Sequence, residues 1–349
     1  MESPVRETLV NFSCYNSILM PKTTKPVDKK DEKTAVKKEA KKETPKKSLI
    51  APNDFVTITL KWTILEPVYK KTVNRFAKDV KAEGFRKGKV PFAIVEQKVG
   101  LDKIIDQVLR ELIPQAYEEQ VKKDNKKPIT TPEFNPISLE KGKDWVLEAH
   151  FSGIPEVKLG DYKKVTKKGK AEAAKFIEER NKQIKKEAAE CKKEDKDHDH
   201  EHSHQELSED EKKEINLQHI FKELVAEFSP AIGELLLRQE TQNEYERLVK
   251  QLKQYKISIE DYLAKRQISI DQLSQELAGS VLSRLQLDFI MAEISKVEKF
   301  TATDEDIKAE LNKITDKKMR QELEKNQDYL NQLKANLLQR KTLDLLLTL

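Results

Sequence analysis

Residues 84–91 combine an aromatic ring with clustered positive charge in a glycine-rich turn, a pattern suited to binding a partner. The stretch reads G-F-R-K-G-K-V-P. Its glycines permit the positive φ angles of a tight turn, and its three cations would be satisfied by phosphates or acidic side chains. Arg86 offers a planar fork that lysine lacks, and Phe85 offers an apolar anchor. We predict that this turn faces solvent; the alternative is an ordinary helix–helix loop with Phe85 in the core.

Other chemistry-bearing patterns are sparse, so we predict neither catalytic residues nor a cofactor. The 349 residues contain nine glycines and 6% aromatics, which argues against a large β-sandwich or a dinucleotide-binding enzyme. Neither Cys14 nor Cys191 has a credible histidine partner, and two such cysteines suggest no disulfide framework. A reducing cytoplasm fits this cysteine usage.

Charge and hydropathy also limit the partners. The net charge of +5 is small beside 66 basic and 61 acidic residues, so any basic binding surface must be local, and we expect no DNA partner. No segment approaches the roughly 18 consecutive apolar residues of a membrane span, so we expect no membrane partner.

The sequence before and after the turn predicts a small α+β domain over residues 51–166. Residues 55–60 are rich in β-branched side chains and read as a strand, and a helix is predicted over 66–81. Pro91 suits the first turn of a further helix, one that carries Phe92 and ends at Gly100. A long helix follows over 101–123, which Pro114 could kink or divide. Strand-like runs at 129–139 and 145–151 complete a small antiparallel sheet covered by helices.

Two segments lack the apolar residues of a core. Residues 1–50 read as a disordered basic tail, either a solvated leader or an electrostatic arm for RNA. Residues 167–214 are more than half charged, with Phe176 as their one aromatic. Their first half reads as a polar helix and their second half as disordered, so the segment is predicted to be a charged linker.

The linker contains a histidine run whose imidazoles alternate with oxygen ligands. The weak candidate metal ligands are His198, His200, His202 and His204. Such a tract can bind zinc, nickel or copper loosely, but a soluble spacer with merely polar histidines is the favoured interpretation, so no metal site is predicted. The isolated His150 and His219 are interpreted as structural.

Residues 215–349 read as helix almost throughout and predict an all-α domain. Ser229-Pro230 is interpreted as an N-cap with proline at the first helical position. Ser258, Ser269 and Thr303 are further predicted N-caps. The leucine-rich end, 330–349, is expected to pack back onto the bundle.

The 84–91 turn resembles the ribosome-binding signature of trigger factor, G-F-R-x-G-K-x-P, with every signature position filled. The order strand, helix, turn and two helices is also similar to that family, and the resemblance extends over most of 53–165 and more loosely over 215–340. It implies a fold with a ribosome-docking α+β domain followed by helical arms. The ribosome-binding residues that it implies are Gly84, Phe85, Arg86, Lys87, Gly88, Lys89 and Pro91.

By this resemblance, the chain would be a cytoplasmic chaperone that holds nascent polypeptides at the ribosomal exit tunnel. Its partners would be a ribosomal protein and ribosomal RNA beside the tunnel, together with unfolded chains. Members commonly carry an FK506-binding-type prolyl isomerase domain, but residues 167–214 cannot form its sheet, so we expect no isomerase activity. Retained isomerase activity and a basic RNA-binding assembly factor remain alternatives. A periplasmic helical chaperone would need a secretion signal and no docking turn.

Overall fold

The computed structural model describes residues 48–194, except 82, 84 and 87, and residues 207–349; the side chains of 187–194 lie outside the description. Two compact units divide these residues. The sheet unit comprises Pro52–Ile154 and Gly233–Gln239. The helical unit comprises the remaining described residues, chiefly Pro155–Ile232 and Glu240–Leu349.

The described elements follow the predicted order of a mixed domain and then helices. In chain order they are β1 (Ile50–Ala51), β2 (Asp54–Leu60), α1 (Trp62–Ala77), α2 (Phe92–Val99), α3 (Leu101–Lys123), β3 (Glu133–Ser138), β4 (Trp145–Phe151), α4 (Tyr162–Glu194), α5 (Glu209–Phe228), β5 (Ile232–Gly233), α6 (Glu234–Gln254), α7 (Ile259–Arg266), α8 (Ile270–Val297), α9 (Asp304–Asn312), α10 (Lys317–Lys325) and α11 (Gln327–Thr348). None of these helices is long and apolar enough to cross a bilayer.

The sheet unit has an antiparallel sheet with the strand order β2-β4-β3. Ile58 pairs with Leu147, next to the central pair of the β2–β4 ladder. Alternate residues of β4 point into the core, where Trp145 and Phe151 are fully buried. Helix α1 packs on α2 and α3, and α3 packs on β2. The predicted α+β class is therefore confirmed.

Helix α1 begins earlier than predicted. The sequence predicted residues 66–81, whereas α1 spans Trp62–Ala77. The carboxylate of Asp144, from the hairpin before β4, accepts a 2.7 Å hydrogen bond from the Trp62 N–H and satisfies a donor at the start of the helix. This tertiary contact carries no local sequence signal. Pro114 does not divide α3, which runs unbroken from Leu101 to Lys123.

Helices α4 and α5 of the helical unit pack along each other. The predicted boundary at 166/167 falls inside α4, and the predicted polar helix in the first half of 167–214 is present. At the C-terminal end of the 167–214 segment, α5 starts at Glu209, and Ser208 and Glu211 form a reciprocal capping box. Residues 207–214, expected to be disordered, are thus capped or helical, because α5 packs against α4 and gains stability that its own composition does not supply.

The interpretation of Ser229-Pro230 as a helix start was wrong. Ser229 ends α5 in the left-handed conformation, and its hydroxyl donates to the Val225 carbonyl at 2.7 Å. The next long helix, α6, starts at Glu234. The predicted N-caps at Ser258, Ser269 and Thr303 are confirmed, since each accepts a hydrogen bond from the backbone three residues later.

The C-terminal helix α11 packs back onto the helical unit, as predicted. Leu346 is fully buried with Ile220 and Leu224 of α5 and Ile290 of α8. A second cluster around Ile307 joins α9 to α11. The leucines of α11 therefore pack in two core clusters, one near each end of the helix.

Several expectations fall on residues that the structure does not describe. They are the basic tail over 1–47, Cys14 with it, and the histidine run His198, His200, His202 and His204. Among the described residues, no group of three or more metal-ligating side chains comes together.

Candidate functional site: an exposed aromatic and cationic turn

The backbone of the signature turn is held against the end of α1. The Gly88 N–H donates to the Ala77 carbonyl at 3.1 Å, and the Lys89 N–H donates to the Arg86 carbonyl at 2.9 Å. Gly88 is the third residue of this four-residue turn and has φ +81°, which glycine adopts without a steric penalty. The turn therefore has a defined conformation at its base.

Val90 and Pro91 connect the turn to α2. Val90 is buried in the core of the sheet unit, while its neighbours Lys89 and Pro91 are exposed. Pro91 lies one position before the predicted first turn, at the N-cap of α2, with φ −57°. Its carbonyl accepts hydrogen bonds from the N–H groups of Ile94 and Val95, so proline starts the helix without sacrificing a needed donor.

Two phenylalanine rings near the turn are exposed to solvent. Phe85 is 44% exposed and Phe92, at the start of α2, is 45% exposed. A half-exposed ring keeps apolar area available for a partner, which would gain free energy by covering it. Val95 is the residue of α2 that is buried in the core.

The two described cations of the turn, Arg86 and Lys89, are exposed and lack ion pairs with described residues. Neither Arg86 nor Lys89 forms a salt bridge with a carboxylate of the described residues. Several other surface lysines of the sheet unit are paired, such as Lys122 with Glu118 at 2.5 Å. Unpaired cations beside an exposed ring can bind an anionic partner without first breaking an intramolecular contact.

Of the seven predicted site residues, the structure describes five: Phe85, Arg86, Gly88, Lys89 and Pro91. All five are exposed and lie on one short segment between α1 and α2. Gly84 and Lys87 lie outside the described residues.

The described histidines, His150 and His219, lie on a strand of the sheet unit and on a helix of the helical unit. His150 lies on β4, with its Nε2 atom 3.1 Å from the Oε2 atom of Glu148 and its ring in contact with the ring of Phe55. His219 of α5 packs against Phe176 of α4, with ring centroids 5.5 Å apart. Both placements agree with a structural role.

Two family models match the chain along most of its length. Residues 46–187, which include the turn, match "Bacterial trigger factor protein (TF)", and residues 193–348 match "Bacterial trigger factor protein (TF) C-terminus". The chain belongs to the trigger factor family. The family membership that the resemblance at 84–91 suggested is thereby confirmed.

Curated relatives named trigger factor match a shorter part of the chain. The protein from Streptococcus mutans is 40% identical over 108 residues, 31% of this chain and 25% of that protein. The protein from Streptococcus sanguinis is 38% identical over 109 residues, 31% of this chain and 26% of its own length. The matched part thus spans about a quarter of the length of these trigger factors.

A solved trigger factor structure supports the fold of both units. It was described as "Promiscuous Substrate Recognition in Folding and Assembly Activities of the Trigger Factor Chaperone". The likeness covers 84% of this chain and 96% of that one, with a TM-score of 0.53 and 15% identity. An α+β domain followed by helical arms is therefore the family's fold, as the sequence predicted.

Proposed function

We propose that this protein is a ribosome-associated chaperone that docks through the 84–91 turn and holds unfolded nascent chains. One observation supports this proposal most directly. Phe85 is half-exposed beside Arg86, which has no ion pair among the described residues, on a turn whose base is held by two backbone hydrogen bonds. Membership of the trigger factor family supplies the partner class. The proposed place of action is the cytoplasm, at the ribosome.

Docking would use two kinds of contact. Arg86 can donate two parallel hydrogen bonds to a phosphate of ribosomal RNA or to a carboxylate of a ribosomal protein beside the exit tunnel. Phe85 would insert into an apolar recess of that protein, where a buried ring can supply much of the affinity of a small interface. Because the turn's base is already ordered, less conformational entropy is lost on binding.

Holding would use weak apolar contacts on the helical unit. Several leucines of α6 are core residues and are not available for this role: Leu252 is buried in the helical unit, and Leu235 and Leu236 are buried in the sheet unit. Leu248 and Leu282 are half-buried. Several other large apolar side chains of this unit are exposed: Tyr255, Ile257, Ile270, Val297 and Met319. Scattered apolar contacts without a deep pocket bind many unfolded segments and release them once they bury their own cores.

Co-sedimentation with ribosomes at fixed ionic strength tests the docking. The variant F85A/R86A/K87A should remain in the supernatant, whereas the intact chain pellets with ribosomes. The matched control F55A/K70A/K122A removes an exposed ring and two paired lysines from the same unit and should pellet like the intact chain. Equal pelleting of the intact chain and the signature variant would refute docking through this turn.

A second assay separates the chaperone from a basic RNA-binding factor. The chaperone should slow aggregation of a chemically unfolded client in the absence of ribosomes. A chain that pellets with ribosomes but leaves client aggregation unchanged would favour the RNA-binding factor.

We further propose that the chain has no prolyl isomerase activity. The two family matches leave only residues 188–192 between them, and the described part of the 167–214 segment consists of the packed helices α4 and α5. An isomerase pocket on a sheet has no counterpart there among the described residues. A proline isomerisation assay on a short peptide should show the uncatalysed rate; activity that persists through repurification would contradict the proposal.

A further inference from the structure

The sheet unit carries three more exposed cations immediately before the signature turn. Arg75 lies in the last turn of α1, Lys78 is the C-cap of that helix, and Lys81 follows it. Over residues 75–98 the chain has seven basic and three acidic residues, so this end of the unit is locally positive although the whole chain is nearly balanced. We propose that Arg75, Lys78 and Lys81 form, with Arg86 and Lys89, one continuous surface that binds RNA phosphates.

Backbone contacts place these residues beside the turn. The hydrogen bond from the Gly88 N–H ends on the carbonyl of Ala77, which lies between Arg75 and Lys78 in the chain. The Nζ of Lys98, from the last turn of α2, donates to the Lys81 carbonyl at 3.0 Å. The end of α1, the turn and the end of α2 thus meet in one region.

The three cations are exposed, and the Arg75 guanidinium lies over the ring of Phe76, 5.9 Å from its centroid. None of them forms a salt bridge with a carboxylate of the described residues. Arg75 is close enough to Glu111 to help lower the pKa of that carboxyl, but the larger cause is the 2.7 Å hydrogen bond from Lys71 to Glu111. Positive side chains near a helix C-terminus also favour the helix itself by a few tenths of a kcal/mol, so their stability effect must be measured separately.

RNA phosphates fit this surface better than an acidic protein patch does. Among the described residues between Arg75 and Phe85, the apolar side chains are Phe76, Ala77 and Val80, and all three pack on the core of the sheet unit. The surface between these cations therefore has no exposed apolar anchor. Protein interfaces concentrate apolar residues at their centres, whereas nucleic acid backbones are bound by positioned charge. This inference rests on the proposed ribosome docking and enlarges its site.

Ribosome co-sedimentation over a series of salt concentrations tests the proposal. Each phosphate contact contributes about 0.7–0.9 to the slope of log K against log salt, so R75Q/K78Q/K81Q should reduce that slope by about 2. Its affinity at about 0.1 M salt should fall at least tenfold. The control K70Q/K122Q/K143Q removes the same charge from lysines that are paired with Glu66, Glu118 and Glu140, and it should keep both slope and affinity.

Three results would overturn the inference. One is an unchanged affinity and slope for R75Q/K78Q/K81Q, and another is an equal loss for the control variant. The third is a weaker affinity with an unchanged slope, which would mean that the cations contact a protein. If the intact chain itself fails to pellet, the proposed docking fails with it; if the intact chain pellets and only F85A/R86A/K87A is impaired, docking stands and this extension alone is refuted.

Discussion

The close approach of α4 and α5 makes opposite predictions for two glycine-to-alanine changes. A Cβ on Gly169 would lie 2.7 Å from the Cα of Ile220 and 3.0 Å from its nitrogen. Both atoms are backbone, so α5 must move by several tenths of an ångström. Overpacking of this kind costs about 1–3 kcal/mol, against about 1 kcal/mol gained by replacing glycine within a helix. We expect G169A to lower the free energy of unfolding of the helical unit by about 1 kcal/mol.

Gly279 provides the matched control for this change. It lies in the interior of α8, it is exposed, and a Cβ there would meet no atom within 4 Å. G279A should therefore stabilise the protein by about 1 kcal/mol, which separates the two variants by about 2 kcal/mol. Urea unfolding followed by far-ultraviolet circular dichroism measures both. If G169A stabilises the chain as much as G279A does, α4 and α5 do not approach at Gly169 as the structure has them.

Three further changes test other parts of the structure. F92S should leave the free energy of unfolding within about 0.5 kcal/mol, because the ring is exposed, yet weaken ribosome pelleting in the same direction as loss of Phe85; full pelleting would remove Phe92 from the interface. N53A should destabilise the sheet unit by about 1–2 kcal/mol in urea, because the Asn53 Oδ1 accepts the Leu235 N–H at 2.8 Å at the start of α6; unchanged stability would show that this cap is dispensable. Burial raises the pKa of Asp288 to about 7, and the nearby charge of Arg284 opposes this shift. Between about pH 4 and 7, the Asp288 carboxyl is therefore protonated in the folded state and ionised in the unfolded state. Stability should accordingly fall as pH rises through this window, and D288N should flatten the fall; identical pH profiles would contradict this.

Local patterns were sufficient where a single periodicity or cap determines the structure. The strand-like run at 145–151 matched β4, and the N-caps at Ser269 and Thr303 gave two helix starts to the residue. Gly100 gave the boundary between α2 and α3, where its φ of +89° interrupts the helical path.

The errors arose where tertiary contacts choose between two meanings of one local pattern. A Ser-Pro pair can start a helix or follow one, and the packing of α5 makes Ser229 an end. Phe92 and Val95 are both apolar residues of α2, and only the position of the core shows which one is exposed. The sequence identified the signature turn but could not show that Arg86 and Lys89 lack ion pairs, because their distances to distant carboxylates depend on the whole fold.

Val90 gives the signature segment an anchor of its own. Its side chain is buried in the sheet unit, between neighbours that face solvent, and the two backbone hydrogen bonds beside it end on α1 and within the turn. A synthetic peptide with the same eight residues would lack the cavity that Val90 fills and would sample many shapes. Grafting the turn onto an unrelated protein would consequently require a helix C-terminus and an apolar pocket for Val90, as well as the eight-residue motif.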